Sequence, residues 1–167
     1  ALLGQRLVRV LAGIRLSGLI CETEAYGGPD DESSHAFRRT PRSAIMYGAA
    51  GHAYVYRIYG IHHCLNAVTE PAGRPGAVLI RAIFPQEGIE VMRDRRTAQS
   101  RAHLTDGPGK LCEALGIDLA QNGLDLVTGA TLWIEAGERV ANADVRVTPR
   151  VGVRGNPEAR GRPWRFV

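Results

Sequence analysis

The sequence predicts an α+β fold: a single domain with a mostly antiparallel, curved β-sheet, flanking helices and a protruding β-hairpin. Three observations support this prediction. The chain has 167 residues, the usual size of one domain, and contains no internal repeat or linker. Hydrophobic residues make up 44% and charged residues 23%, as in globular proteins. Strand-like and helix-like segments do not alternate regularly, which argues against a doubly wound sheet.

The N-terminal half is predicted to consist mainly of strands. Four segments are rich in β-branched, leucine or aromatic residues: 6–11, 15–26, 53–58 and 61–69. Ala12-Gly13 suits a turn between the first two. Tyr59-Gly60 predicts that the last two form a hairpin. Between these pairs, 27–42 is a polar loop with Gly, Pro and charged residues.

The C-terminal half is predicted to mix strands and helices. Strand patterns occur at 77–83, 131–136 and 145–153. A helix is predicted over 85–96, because Pro85 suits a first turn and acidic residues precede basic ones. A second helix is predicted over 108–115, capped by Asp106 or Gly107 and ended by Gly116.

Composition excludes several classes of protein. No apolar run approaches the roughly 18 residues that a membrane-spanning helix needs. The first residue is not Met, so an upstream segment stays open. Three widely spaced cysteines without a CxxC pair argue against a disulfide scaffold or a cysteine zinc site, namely Cys21, Cys64 and Cys112. We expect a cytoplasmic protein that needs neither metal nor cofactor.

The net charge of +4 comes almost entirely from arginine, since Lys110 is the only lysine among 21 basic residues. Genomic base composition and a polyanionic partner are both open explanations. The distribution favours a contribution from the second. Acidic residues concentrate in 22–35, which holds no arginine, whereas 146–167 holds six arginines and one acidic residue.

Strand alternation groups the polar residues that could carry chemistry. Glu22, Glu24 and Tyr26 share one face of a strand, and Tyr54 and Tyr56 share one face of the next. His62, Cys64, Asn66 and Arg81 also fall on predicted strands. A cleft lined by these side chains could stack a flat ring beside a carboxylate. The alternatives are a solvent-facing edge strand for the glutamates and core packing for the tyrosines. His62 and His63 point to opposite faces, which disfavours a metal site.

Several motifs together resemble the alkyladenine (3-methyladenine) DNA glycosylase family, in its bacterial form. In chain order these are Cys21-Glu22-Thr23-Glu24-Ala25-Tyr26, Gly28-Pro29-Asp30-Asp31-Glu32 with His35, Arg39-Thr40-Pro41-Arg42, Tyr54-Val55-Tyr56, Ile58-Tyr59-Gly60, Val78-Leu79-Ile80-Arg81-Ala82, Gly107-Pro108-Gly109-Lys110-Leu111-Cys112 and Arg150-Val151-Gly152-Val153. They span nearly the whole chain and are specific in combination.

The resemblance implies a monofunctional glycosylase of base excision repair. Such an enzyme flips a damaged purine out of duplex DNA and hydrolyses its N-glycosidic bond. The implied lesions are 3-methyladenine, 7-methylguanine, hypoxanthine and ethenoadenine. The implied partner is double-stranded DNA with a damaged purine, not a membrane. We expect a monomer in the cytoplasm, associated with the nucleoid.

The resemblance also implies roles for individual residues. Glu24 would activate the attacking water, which Arg81 and the main-chain carbonyl of Val151 would hold. Four side chains would bind the flipped base, with Asn66 discriminating against the amine of guanine: Tyr26, His35, Tyr56 and Asn66. Tyr59 would insert into the minor groove. Three further residues would lie near the DNA: Thr40, Arg42 and Met46.

Other features bear on the mechanism and on the match to the family. A lyase mechanism usually needs an amine nucleophile, and the only lysine lies in a helix motif, so hydrolysis is favoured. The N-terminal amine stays open as an alternative nucleophile. His35 is the sole candidate acid for neutral bases. Phe84 stands where relatives often carry an acidic residue. The role of Arg57 is open. Members of the family usually continue beyond the position of Phe166 with a further short strand. We expect this C-terminal tail to be missing here, since the sequence stops at Val167.

Two other functions stay open at this point. A hydrolase of free nucleosides would use the same carboxylate, but it would need neither an exposed Tyr59 nor surrounding arginines. A non-catalytic nucleic-acid-binding module would have no use for Glu24 beside Arg81, because a carboxylate in a phosphate-facing cleft lowers affinity.

Overall fold

The computed structural model describes residues 2–96 and 103–167. Within them, a curled sheet of eight antiparallel strands is accompanied by three α-helices, which confirms the predicted fold class. The strands are β1 (Arg6–Leu11), β2 (Ile14–Tyr26), β3 (Ala53–Ile58), β4 (His62–Val68), β5 (Ala77–Glu87), β6 (Leu132–Glu135), β7 (Val147–Thr148) and β8 (Arg165–Phe166). The helices are α1 (Ile89–Arg96), α2 (Pro108–Leu115) and α3 (Pro157–Gly161).

Strand β2 is the centre of the sheet, whose main order is β3-β4-β5-β2-β1-β6. One edge of β2 pairs with β5 along its length. The other edge pairs first with β1 and then, at Thr23 and Glu24, with β8. The β2–β5 register shifts around Cys21 and again opposite Arg81. Irregularities of this kind re-aim side chains and occur often beside active sites.

The main core lies between the sheet and helices α1 and α2. Leu111 and Leu115 of α2 and Met92 of α1 have no exposed surface. They pack with apolar side chains from the inner face of the sheet, including Leu7, Leu16, Ile20, Leu65 and Ile80. Helix α2 begins after Gly107 and ends at Gly116, whose φ of +62° is left-handed, as predicted.

The predicted hairpin is β3–β4, with Tyr59 and Gly60 in its turn. Both residues have left-handed φ angles, +53° and +75°, which is the pattern of a type I′ turn. The outer edge of β3 is covered by the segment 122–124. Asn122 accepts a hydrogen bond from the Val55 amide at 2.9 Å, and the Leu124 carbonyl accepts one from Ala53 at 2.8 Å.

The predicted helix over 85–96 is wrong at its start. Strand β5 continues to Glu87, and Pro85 lies in it opposite Gly18 at a register shift. The Glu87 carboxylate accepts hydrogen bonds from Arg15 and Ser17 of β2, which extends the pairing beyond the proline. Gly88, at φ +70°, then turns the chain into α1.

The predicted strand over 145–153 is also wrong in length. The strand is only Val147–Thr148, which pairs with β8 and is flanked by backbone hydrogen bonds between Arg146 and Val167. The chain then leaves the sheet and Arg150 turns into the interior. Helix α3 and strand β8 were not predicted, since each is very short. The three cysteines are free. No helix among the described residues is both long enough and apolar enough to cross a membrane.

Substitution of Gly88 by alanine is expected to destabilise the fold more than the same substitution of Gly13. Both glycines have left-handed φ angles, so alanine costs about 1–2 kcal/mol at either position. A Cβ at Gly88 would also lie 2.2 Å from Leu16 Cδ2 and 2.9 Å from the Arg15 carbonyl, whereas Gly13 has open space. We expect about 1–3 kcal/mol more loss for Gly88→Ala in urea denaturation; equal losses would show that the strand end yields freely.

Candidate functional site

Glu24 is a fully enclosed charged residue of the site. Its side chain has no exposed surface, and it projects from β2 in the middle of the sheet. Its Oε1 accepts a hydrogen bond from the Val151 amide at 2.7 Å, and its Oε2 accepts one from the Tyr26 hydroxyl at 2.8 Å. Arg81 Nη1 lies 3.3 Å from Oε1. Three donors from three parts of the chain therefore fix the orientation of this carboxylate.

The alternation along β2 places Glu22 beside Glu24 on the same face. Arg81 Nε and Arg165 Nε each donate to Glu22 Oε1 at 2.6 Å. Burial alone would raise the pKa of Glu22, but the two guanidinium groups outweigh it and hold the pKa below its usual range. Two carboxylates and two guanidiniums thus form one neutral cluster. The edge-strand alternative fails, because β2 pairs on both sides.

Asp31 and Arg150 form a fully buried ion pair that sequence reasoning missed. Arg150 Nη1 and Nη2 donate to the two Asp31 oxygens at 2.6 and 2.8 Å, and they also donate to the carbonyls of Ala25 and Ala159. The Arg150 guanidinium lies 4.8 Å from the Tyr26 ring. The sequence motifs contain both residues, but they lie 119 positions apart and no local pattern pairs them.

This ion pair positions the groups around Glu24. Asp31 also accepts hydrogen bonds from the amides of Gly27 and Ser33, so it orders the loop that follows β2. Arg150 directly precedes Val151, whose amide binds Glu24. Burial alone would raise the pKa of Asp31, but the charge and hydrogen bonds of Arg150 and the loop amides hold the pKa below its usual range.

A cavity of about 410 Å³ opens beside this cluster. Aromatic rings from β2, β3 and the following loops line it. The Tyr56 ring centroid lies 4.5 Å from the His35 centroid and 5.3 Å from the Tyr54 centroid. The structure brings together the predicted base-binding side chains Tyr26, His35, Tyr56 and Asn66 on these walls. Glu24 lies behind Tyr26, one side chain away from the open space.

The aromatic groups of the cavity are uncharged at neutral pH. The pKa of His35 is lowered to about 4. The main cause is desolvation of the ring by neighbouring side chains, and the second is the nearby Arg42 cation, although part of the ring faces the open cavity. His35 Nδ1 lies 2.7 Å from the Tyr54 hydroxyl. Burial raises the pKa of Tyr54 to about 12. A neutral His35 is poorly suited to act as an acid at pH 7, which weakens its candidacy for that role.

The residues predicted to approach DNA divide into two groups. Tyr59 projects from the hairpin tip with 81% of its surface exposed, and Thr40 and Arg42 lie in an exposed loop. Met46 differs, because its side chain is 1% exposed and packs beneath the cavity with Tyr54. In this position Met46 can contact a group in the cavity but has no outer surface to offer.

Asn66 is fixed in the cavity wall by the hairpin backbone. It is buried, and its Nδ2 donates to the Tyr54 carbonyl at 3.0 Å. One amide hydrogen and the side-chain oxygen stay available to a ligand. Among residues 2–96 and 103–167, no three His, Cys, Asp or Glu side chains are grouped so that they could hold a metal ion.

The arrangement combines three capabilities. A cavity of stacked rings can hold a planar heterocycle, a buried carboxylate can accept a proton beside it, and an exposed aromatic on a rigid turn can enter a groove. Tyr59 adopts its left-handed φ although it is neither glycine nor asparagine. Backbone strain of this kind at an exposed aromatic points to a functional constraint.

Comparison with known proteins agrees with these features. The family model described as methylpurine-DNA glycosylase matches residues 1–167. A Bacillus cereus protein and a Bacillus anthracis protein, each named "Putative 3-methyladenine DNA glycosylase", are 47% identical to this chain over 177 residues. A second Bacillus cereus protein of the same name is 48% identical. Each alignment covers 99% of this chain and 86% of the relative.

Asp31→Asn is expected to lower the free energy of unfolding by about 3–5 kcal/mol at pH 7, because it leaves Arg150 buried without its counter-charge. The pKa of Asp31 is lowered by folding, so the pair stabilises above about pH 4 and is lost as the pH falls below it. Urea denaturation from pH 7 to pH 3 should therefore show a weaker acid dependence in the variant.

Asp30→Asn is the matched control, since the neighbouring Asp30 is largely exposed and its carboxylate makes only a long contact, 3.5 Å, with Arg162 Nη1. Its substitution should change stability by less than about 1 kcal/mol. Equal effects of the two substitutions would contradict the special role of the buried pair.

Proposed function

Because the chain belongs to the methylpurine-DNA glycosylase family, we propose that it is a monofunctional DNA glycosylase acting on flipped-out alkylated or deaminated purines in duplex DNA. The lesions are of the 3-methyladenine, hypoxanthine and ethenoadenine class. The observation that carries the proposal is the fully buried Glu24, held by Val151, Tyr26 and Arg81 directly behind an aromatic cavity.

The substrate must leave the base stack before it can react, because C1′ is inaccessible to the enzyme inside the duplex. The extruded purine enters the cavity, where Tyr26, His35 and Tyr56 stack on or contact it. Asn66 has one amide hydrogen and an oxygen left for the base edge. It discriminates against guanine, whose exocyclic amine meets the cavity wall at this position.

Hydrolysis then proceeds at C1′ of the flipped nucleotide. A water oxygen forms the new bond to C1′, Glu24 accepts the water proton, and the electrons of the C1′–N9 bond leave with the base. Arg81 and the Val151 carbonyl orient the water. The Glu24 carboxylate also stabilises the positive charge that develops on the sugar. A purine alkylated at N3 or N7 already carries a positive charge, so it departs neutral without an acid. A neutral base such as hypoxanthine departs with the electron pair as an anion and takes up one proton from solvent water.

The position of the only lysine supports hydrolysis over a lyase mechanism. Lys110 lies on α2, where its Nζ binds Asp106 at 2.8 Å. The cavity walls come from β2, β3, β4 and their loops, and Lys110 is not among the residues that line them. A Schiff base to C1′ would require an amine within the cavity.

The hairpin and the arginines supply the contact with DNA. Tyr59 inserts into the minor groove and fills the space that the base vacates. Its turn and its exposure leave the ring free to enter a groove. Thr40 and Arg42 in the adjoining loop contact phosphates, and further arginines add to an electrostatic footprint that depends on salt.

Glu24→Gln is expected to lower the single-turnover excision rate by about 10²–10⁴-fold, because glutamine cannot accept the water proton. The test uses a duplex with one hypoxanthine or one ethenoadenine, and abasic product is measured. Binding to the damaged duplex should be retained or improved. Glu90→Gln, on an exposed carboxylate of α1, serves as the control and should excise like the wild type. Undiminished excision by Glu24→Gln would remove Glu24 from the mechanism.

Tyr59→Ala is expected to reduce excision by about 10- to 100-fold while changing the salt-dependent affinity for undamaged duplex little, since base extrusion costs a few kcal/mol and the wedge offsets part of it. Base flipping can be followed through the fluorescence of ethenoadenine. Phe84→Ala is the control, because Phe84 is also an exposed aromatic but lies on β5. Activity equal to the wild type in Tyr59→Ala would contradict the wedge role.

A further inference from the structure

Arg42 is folded over the wall of the cavity. Its guanidinium lies 4.8 Å from the Tyr56 ring centroid, and its Nη2 donates to the Arg57 carbonyl at 3.3 Å. It is one of the side chains that line the cavity. In the part of the chain that the structure describes, no carboxylate lies within ion-pair distance of it. Arg42 therefore brings an unneutralised positive charge to the place where a base would bind.

The second tyrosine of the cavity is engaged in the same way. The Arg150 guanidinium lies 4.8 Å from the Tyr26 ring. The face of an aromatic ring attracts cations through its quadrupole. A ring that already holds a guanidinium attracts a second cation less, because the two positive charges repel each other across it. The repulsion is stronger at Tyr56, because Arg42 has no carboxylate at ion-pair distance, whereas the charge of Arg150 is matched by Asp31. Tyr56 is thus poorly disposed toward a positively charged base.

Glu24 does not offset the Arg42 charge. Glu22 and Glu24 are matched by Arg81 and Arg165 within the neutral cluster behind Tyr26. The charged side chains that line the cavity itself are three arginines and one glutamate, namely Arg42, Arg57, Arg154 and Glu32. The described walls therefore carry an excess of positive charge. Simple alkylation of a purine ring nitrogen creates a cationic base, which these walls repel.

We propose that Arg42 is a specificity-determining residue, whose charge favours neutral damaged bases such as hypoxanthine over cationic ones such as 7-methylguanine. The inference rests on the function proposed above and assigns the substrate class of the same cavity. It separates Arg42 from a pure phosphate contact. A phosphate contact would affect all lesions alike, whereas a charge at the base affects them according to their own charge.

The test compares single-turnover excision of one hypoxanthine and one 7-methylguanine in otherwise identical duplexes. In Arg42→Gln, the rate ratio of 7-methylguanine to hypoxanthine should rise about tenfold over the wild type, the order expected for one partly screened charge near the base. Arg42→Lys keeps the charge and should keep the wild-type ratio. Arg139→Gln removes an exposed cation that is not among the residues lining the cavity and should leave the ratio within about twofold.

Two results would overturn the proposal. An equal change for both lesions in Arg42→Gln would reduce Arg42 to a phosphate contact, and a ratio in Arg42→Lys like that in Arg42→Gln would show that shape, not charge, matters. The same comparison is made by equilibrium binding in a Glu24→Gln background, which requires no excision. A wild type that excises neither lesion would defeat the proposed function, while the binding ratio would still test the charge of Arg42.

Discussion

The buried pair of Asp31 and Arg150 is the constraint on which the site depends. Two unexposed charges are stable because both Asp31 oxygens and both Arg150 Nη atoms are hydrogen-bonded, and this requires the loop after β2 and the C-terminal segment to meet at one point. That meeting places the Val151 amide against Glu24 and a guanidinium behind Tyr26. The carboxylate, its donor and the stacking ring are therefore positioned by one interaction outside the cavity.

Burial of Glu24 is tolerated because the surrounding charges balance. An isolated carboxylate in the middle of a sheet would be strongly disfavoured, but Arg81 spans both glutamates and Arg165 from β8 completes the neutral set. The register shift opposite Arg81 gives it this reach. The two-residue strand β8 thus contributes to the site, because it positions the Arg165 guanidinium against Glu22.

Local patterns predicted β1 to β4, α2 and the antiparallel class, since alternation and turn residues are properties of neighbouring positions. They failed where a distant partner decides. Pro85 suited a helix start, yet the hydrogen bonds that Arg15 and Ser17 donate to the Glu87 carboxylate keep this segment in strand β5. Residues 145–153 had a strand composition, yet Arg150 is drawn inward by Asp31. Alternation grouped Glu24 with Tyr26, but no pattern in the sequence reports complete burial or a charge-neutral cluster.

The covering of β3 by residues 122–124 has a consequence for the protein in solution. An edge strand with unpaired amides is a template on which a second molecule can add a strand, and such pairing leads to aggregation. Here the Val55 and Ala53 amides are already engaged, and the exposed Arg57 places a charge farther along the same edge. The hairpin can thus extend an aromatic tip into water without recruiting copies of itself.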